Sequence, residues 1–429
     1  MSRAWVYSTA GNDTTGAGTV ANPYATPGKA VAMHAPEDQI VGRGGTYTAN
    51  QLNLLSGTSV SAYTEFTSYT AETATIQASG AGNGIIYLPT VRDYLYIYDV
   101  VLDSLTLDNS GINMKSVKGV DRSRYHKVVN VEITGGQQGI IGSPSYSLFQ
   151  NLNIHHGGKS NLDHCFYING DALDNVIDTC LMNNWLGFGV TLYSGSAGNK
   201  PSGTEVKNCL VHTNNTGLAV NSAGNDNVFH HNYVWNCDRT GINIHAGLRN
   251  KLYNNGLYAN RTGSTGGQLA CDGGGSTNEI RNNISLDVVS GSNFTNTGGA
   301  TASNNVTSGT ATDYWTSPST ADFSLLDNAT TQANAIDKGV AVGIAFDYYG
   351  TVIPQGAAPD IGPEEWGATA PPDAPALVTL GSYTVTPGVY TGGVLALSDG
   401  DSNTTSVAYV GTNTSVKTTW NANVTVTSP

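Results

Sequence analysis

A short phrase, in which glycine or another small residue precedes alternating hydrophobic positions, recurs through the middle of the chain. It extends from about residue 100 to residue 306, and its copies lie 22 to 30 residues apart. This spacing accommodates two or three short strands joined by turns and leaves no room for a helix, which predicts a solenoid of stacked strand coils. The copies begin at Gly111, Gly139, Cys165, Gly187, Gly217 and Gly241, with weaker ones at Gly267 and Gly291.

A second, asparagine-rich phrase lies between these copies. Asn208, Asn254 and Asn282 recur in it at matching places, so we expect them to form a ladder from coil to coil, because asparagine tolerates a left-handed turn and its amide can bond its own neighbours. Strands that pair with the coil above and the coil below are parallel. Since strand crossovers in one sheet are right-handed, the predicted fold is an all-β, right-handed parallel β-helix.

Composition limits the expected binding partners and the compartment in which the chain folds. The chain carries 32 acidic and 19 basic residues, a formal net charge of −13, so we expect neither nucleic acid nor a membrane surface as a partner. All five cysteines lie in the repeat without a C-x-x-C pair, which predicts unpaired, buried thiols and synthesis in a reducing cytoplasm. The first residues have no apolar signal core, so we expect either export by another route or a trimmed leader.

The remaining segments suggest four regions. Thr26 and Pro27 predict the N-terminus of a short helix that covers the end of the coil stack. The last segment has few large hydrophobic residues, so we expect it to need a partner or another copy of itself, as in a trimer or a contact with other virion proteins; a sugar-binding module is the alternative. The predicted regions are an N-terminal cap (1–50), the β-helix (51–366), a proline-rich linker (367–376) and an all-β module of about five strands (377–429).

Both ends of the predicted helix resemble a known superfamily. The start combines Trp5-Val-Tyr7, Gly11-Asn12-Asp13, Pro23-Tyr24 and Gly45-Thr46-Tyr47, and the end carries Asp360-Ile-Gly362. This order resembles the N-terminal cap and the closing segment of pectate-lyase-like β-helix proteins. The resemblance implies the fold and says little about the chemistry.

The densest group of titratable residues follows Ile154. Matching positions in successive coils lie about 4.8 Å apart, so we expect residues of neighbouring coils to form one patch. Lys or Arg to neutralise a uronate, His or Lys as base and Tyr as acid would suit β-elimination or C5-epimerisation; structural use of the same charges is the alternative. The predicted catalytic residues are Lys159, Asp163, His164, Tyr167 and Asp178, and the predicted substrate-binding residues are Arg122, Arg124, His155, His156 and His245.

Two short motifs bear on this patch. Asp163-His164 resembles the Asp-Pro-His of alginate C5-epimerases but lacks the proline. No metal-site motif is present and no cofactor is expected, although Asp171 and Asp174, near Asp178, would suit a calcium ion or, alternatively, cap turns.

Separately, Tyr94, Tyr96 and Tyr98 alternate with aliphatic residues, which predicts a row of tyrosines for sugar stacking or for packing under a loop.

Three functions fit these features. The favoured one is a virion component, similar to a tail-spike or tail fibre, that binds or cuts cell-surface polysaccharide. The second is a secreted lyase, hydrolase or epimerase acting on a uronate-containing glycan. The third is a non-catalytic structural or adhesive solenoid. In the first two the partner is a polysaccharide and the location is the virion or the extracellular space.

Overall fold

The chain coils through three parallel sheets, and nearly every coil adds one strand to each sheet. The computed structural model describes residues 3–114, 122–193, 200–221, 223–260, 266–273 and 275–367, together with the backbone of 406–411 and 414–419. Within these residues sheet A has twelve strands. In spatial order they are Ala4–Tyr7, Gln39–Gly42, Thr64–Ser68, Leu95–Tyr98, Lys127–Val129, Leu148–Gln150, Val176–Asp178, Glu205–Lys207, Val228–His230, Lys251–Tyr253, Glu279–Arg281 and Thr301–Ser303.

Sheets B and C complete each coil. The described strands of sheet B are Gly45–Ala49, Ala74–Ala78, Val100–Asp103, Glu132–Thr134, Asn153–Gly157, Leu181–Trp185, Leu210–His212, Tyr233–Trp235, Gly256–Tyr258 and Ile284–Leu286. Those of sheet C are Ile86–Tyr87, Ser110–Met114, Gln138–Gly142, Phe166–Asn169, Phe188–Tyr193, Thr216–Asn221, Ile242–Ile244, Gly267–Cys271 and Ser292–Thr295. This arrangement confirms the predicted parallel β-helix.

The recurring glycines are explained by how closely the coils approach each other. A Cβ added at Gly217 would lie 2.2 Å from the carbonyl oxygen of Gly241, and one added at Gly139 would lie 2.4 Å from that of Cys165. No side chain fits at such a distance. The glycine phrase of the sequence therefore marks the places where one backbone passes directly over the next.

Asparagine side chains link the coils from the inside. Asn208, Asn254 and Asn282 do share a column, which also includes His231, and all four have left-handed φ angles between 50° and 58°. Asn282 Nδ2 is 3.4 Å from Asn254 Oδ1, so the column matches the prediction. The continuous ladder, however, lies one residue further along the chain. It consists of the buried Asn232, Asn255 and Asn283 and the half-buried Asn305.

The N-terminal segment is partly cap and partly coil. The helix α1 (Pro27–Met33) begins as predicted, with Thr26 Oγ1 accepting the backbone N–H of Lys29 at 3.1 Å. Strands Ala4–Tyr7 and Gln39–Gly42, in contrast, are the first two strands of sheet A. The coil stack therefore begins inside the region predicted to be a separate cap.

The coils also end earlier than residue 366. After the bridge between Ile284 and Val306, the chain folds back over the outer face of sheet B, where Phe323 stacks on Tyr233 with ring centroids 4.9 Å apart. We call residues 307–366 the strap. Its described elements are the 3-10 turns Ala311–Asp313 and Pro318–Thr320, the antiparallel strands Trp315–Ser317 and Asp322–Leu325, and the helix α2 (Ala329–Asn334).

The other predicted features are met to different degrees. All five cysteines are buried and unpaired, as expected. The proline-rich linker from residue 368 and most of the five-strand module lie outside the described residues. Within that module the strands Ser406–Gly411 and Thr414–Thr419 form an antiparallel hairpin.

Candidate functional site

The outer face of sheet C is a recessed, polar surface. Thr191, Ala219 and Ala270 point outward, because their strand neighbours lie in the core, yet each is at most 2% exposed. Larger polar side chains stand beside this floor: Asn221 Nδ2 donates to Thr191 Oγ1 at 3.0 Å, and Asn243 donates to Asp272. A floor of small residues with flanking amides and hydroxyls suits a hydroxyl-rich ligand.

Four aromatic rings gather at one point of this face. Tyr167 lies 5.9 Å from Tyr193 in the next coil, and His164 packs edge-on against both Tyr167 (5.2 Å) and Phe188 (4.9 Å). Tyr193 is 37% exposed, and Tyr167 and Phe188 are half-buried. We call these four residues the aromatic cluster. The predicted neighbours His164 and Tyr167 therefore do come together.

The polar groups of the cluster are neutral donors. His164 Nδ1 accepts the backbone N–H of Phe188 at 3.1 Å, so the neutral ring carries its proton on Nε2. Burial lowers the pKa of His164 to about 4, and burial also raises the pKa of Tyr167, with Tyr193 adding to the effect. At neutral pH both side chains can donate to an acceptor oxygen, and neither is a ready base.

The two other predicted catalytic residues of this segment are engaged in structural contacts. The buried Asp163 carboxylate accepts the backbone N–H groups of Lys159 and Ser160, and also the side chains of Ser160 and Gln138. Lys159 Nζ forms an ion pair with Asp108 at 2.7 Å. Asp163 thus fixes the loop that carries His164, and Lys159 lies in the same loop.

Asp178 and the histidine pair do not join this group, which corrects the prediction of a single patch. Asp178 lies on sheet A, where Gln150 and Asn208 donate to it. His155 lies on sheet B, with Nε2 3.1 Å from Glu132 Oε1 and Nδ1 2.7 Å from His156 Nδ1. The residues are neighbours in sequence, but each coil turns through three faces, so they point to different sides.

The remaining predicted binding residues lie at the margins of sheet C. Arg122 pairs with Asp171 at 3.3 Å and Arg124 with Asp93 at 2.9 Å, both in the turns that lead from sheet C to sheet A. His245 lies at the edge of sheet C, 3.7 Å from Asp272. Of the predicted set, His164 and Tyr167 are therefore on the face. The residues that border it are Arg122, Arg124, Lys159 and His245.

The calcium expectation remains a prediction. Asp171 is held by Arg122, and Asp174 is exposed on another turn position. Among the described residues no group of three acidic, histidine or cysteine side chains is arranged for a metal ion. In the same part of the chain, no helix has both the length and the apolar character needed to cross a bilayer.

Sequence reasoning missed Phe188, Tyr193, Asn221 and Asn243. The alternation from Val190 to Tyr193 carries the signal, because Val190 and Leu192 belong to the core and the intervening residues point outward. The outward positions of successive copies, taken as a column, include Tyr193, Asn221 and Asn243, whereas Phe188 has the same parity as the core residue Val190. These four residues are uncharged at neutral pH and far apart in the sequence, so the dense group of titratable residues after Ile154 does not include them.

Comparison with known proteins identifies the fold. No protein-family model and no curated protein sequence matches the chain. The crystal structure of pectate lyase Pel9A matches with a TM-score of 0.54 at 16% identity, over 85% of this chain and 96% of its own. This chain shares the parallel β-helix fold of that pectate lyase.

Two further structures are more distant. The A-module of Azotobacter vinelandii mannuronan C-5 epimerase AlgE4 has a TM-score of 0.46 at 12% identity, over 63% of this chain and 87% of its own. ORF18 of Geobacillus virus E2 has a TM-score of 0.46 at 15% identity, over 70% of this chain and 60% of its own. At such identities the similarity concerns the fold alone, so the function of this β-helix must be argued from its own faces.

Proposed function

We propose that this β-helix binds a polysaccharide along the outer face of sheet C, with the aromatic cluster as its central contact. The observation that carries the proposal is the exposed Tyr193 beside Tyr167, over a recessed floor flanked by amides. Sugar rings present both apolar C–H faces and hydroxyls, and they are matched by aromatic faces next to polar donors and acceptors.

The virion role is part of the same proposal. A tail-spike-like protein folds in the cytoplasm of its host and meets cell-surface polysaccharide only after release. The five buried, unpaired cysteines are compatible with folding in a reducing compartment. A secreted enzyme that folds in an oxidising compartment would carry the same thiols at greater risk of pairing.

Binding is better supported than turnover. Elimination or epimerisation needs a base within hydrogen-bond reach of the sugar carbon. His164 has its Nδ1 lone pair occupied by Phe188, and the Asp163 carboxylate is already surrounded by donors. Depolymerisation of a uronate glycan therefore remains the second candidate, supported by the proximity of Tyr167 and His164.

The decisive test measures binding and turnover on the same panel of acidic and neutral polysaccharides. Tyr193→Ala is expected to weaken binding by about five- to tenfold, as for the loss of one aromatic contact. Tyr69→Ala is the control, because it also removes a solvent-accessible tyrosine ring, and Tyr69 is half-buried against Arg43 (4.6 Å) away from sheet C. Equal binding by wild type and Tyr193→Ala, or no binding to any glycan, would refute the proposal.

Two readouts separate the alternatives. An ultraviolet-absorbing unsaturated uronate that disappears in His164→Ala would establish a lyase, whereas binding without product supports the non-catalytic role.

Light scattering on the full chain and on a chain ending at residue 376 tests the virion role. We expect a trimer that is lost on truncation; a monomeric full chain contradicts that part.

A further inference from the structure

A stack of three tyrosines occupies the corner between sheets C and A. Tyr94, Tyr125 and Tyr146 take the same turn position in three successive coils, directly before the strands of sheet A. Their rings are nearly parallel, with centroids 5.1 Å and 5.3 Å apart and interplanar angles of 8° and 19°. We call them the corner tyrosines. They are separate from the aromatic cluster, and nothing in the proposed function uses them.

The backbone at these positions is unfavourable for a bulky side chain. Each corner tyrosine has a left-handed φ, at 57°, 60° and 53°. Later coils place Asp174 and Gly203 at the same position, and Asp and Gly adopt this conformation at less cost. Three consecutive tyrosines at a position that disfavours them point to a use for the rings themselves.

One end of the stack is closed and the other is open. Tyr63 packs edge-on against Tyr94 at 6.1 Å and closes the first end. At the other end Tyr146 is 44% exposed. The next residue in the column, Asp174, does not cover it, because its carboxylate lies over Gly203, where an added Cβ would be only 1.9 Å from Asp174 Oδ1. The last ring of the stack therefore presents a free face.

Polar groups without partners surround this face. Within the described residues the hydroxyls of Tyr94, Tyr125 and Tyr146 make no hydrogen bond, and the exposed Asp174 carboxylate has neither a side-chain donor nor an ion pair. Arg124, the nearby cation of the same turn, is already paired with Asp93 at 2.9 Å. The corner thus offers an aromatic face, a row of phenol groups and an uncompensated negative charge.

We propose that Tyr146, at the open end of the corner tyrosines, forms a second saccharide site together with Asp174, in which a neutral or amino sugar stacks on the Tyr146 ring and continues the ring stack. The sugar hydroxyls would bond the Asp174 carboxylate and the Tyr146 phenol. The free carboxylate excludes a uronate residue, since two like charges repel at close range.

The test titrates the full chain with cello-, malto- and chito-oligosaccharides and with an oligogalacturonate, and follows thermal unfolding of each variant. Tyr146→Ala is expected to lower the affinity for a neutral or amino-sugar oligomer about tenfold. Tyr94→Ala is the matched control: it removes a ring from the same stack and strained position but not the open face. Tyr94→Ala should lower the melting temperature by about as much as Tyr146→Ala does, and it should leave the affinity unchanged.

The outcomes are distinct from those of the sheet C proposal, which shares only the class of ligand. Affinity lost in Tyr146→Ala and kept in Tyr193→Ala supports the corner site even if sheet C binds nothing. Affinity unchanged in Tyr146→Ala, or lowered equally in Tyr94→Ala, overturns it and leaves the stack a purely structural feature. Oligogalacturonate binding that depends on Tyr146 also overturns it, whereas Asp174→Asn should admit that oligomer.

Discussion

Asn255 Nδ2 donates to Asn283 Oδ1 across 2.9 Å in the interior of the coil stack, and neither residue is exposed. The same Nδ2 donates to the carbonyl oxygen of Phe229, and Asn283 Oδ1 also accepts the backbone N–H of Asn255. One amide therefore satisfies polar groups of three successive coils, for which no water is accessible.

Removing this amide should destabilise the stack. In Asn255→Ala at least two buried backbone groups lose their partners, and each such loss costs about 1–3 kcal/mol. We expect a clear fall in melting temperature, measured by circular dichroism. Asn153→Ala is the control, since Asn153 is half-buried on sheet B and its side chain makes no hydrogen bond within the described residues. Equal melting temperatures for the two variants would contradict the role of the ladder.

The repeat glycines should tolerate no side chain. Gly217→Ala places a Cβ 2.2 Å from the carbonyl oxygen of Gly241 and 2.5 Å from Val234 Cγ1, so the coils must separate locally and lose their backbone hydrogen bonds. The expected result is strong destabilisation or loss of soluble protein. At Gly80 an added Cβ meets nothing within 4 Å, and Gly80→Ala should be neutral to slightly stabilising. A soluble Gly217→Ala with the wild-type melting temperature would contradict this prediction, because it would show that the coils can separate locally without loss of stability.

The strap should weaken as the pH rises through neutrality. Burial raises the pKa of Glu364 from 4.5 to about 8, with Asp347, Asp322 and Asp360 adding to it, and burial raises that of Glu365 to about 7. A raised pKa means that the folded state binds more protons than the unfolded state. Their contribution to stability is therefore complete below about pH 4.5 and is lost as the pH rises towards 8.

Thermal unfolding between pH 5 and pH 9, measured with Glu364→Gln alongside wild type, checks this linkage. Glutamine keeps an oxygen for the backbone N–H of Leu325 and cannot ionise, so the variant should melt higher than wild type at the alkaline end and differ little at the acidic end. Parallel pH profiles for the two proteins would exclude Glu364 as the titrating group.

The thiols should be unreactive in the folded protein. Burial raises the pKa of Cys237 to about 12 and that of Cys165 and Cys209 well above the usual value, and the thiolate is the reactive form. We expect iodoacetamide to modify no cysteine at neutral pH and all five after denaturation. Rapid labelling of Cys165 in the native protein, followed by mass spectrometry, would contradict the tight inner packing.

The aromatic cluster shows where prediction from the sequence stops. Tyr167 and His164 were singled out because they are close in the sequence, and they do meet. Tyr193, which completes the face, belongs to the next coil and reached it through the register Asn169 to Tyr193. Asp178 was expected in the same patch, yet the turn after Asn169 carries the chain to sheet A.

The sequence by itself determined the parallel coils, because a period too short for a helix leaves only stacked strands, and it determined the glycines and buried thiols that such stacking requires. Only the tertiary structure decided which face each side chain occupies. Each coil passes through three faces, and strand residues alternate between core and solvent. A shift of one residue therefore separates the left-handed column at Asn282 from the continuous amide ladder at Asn283.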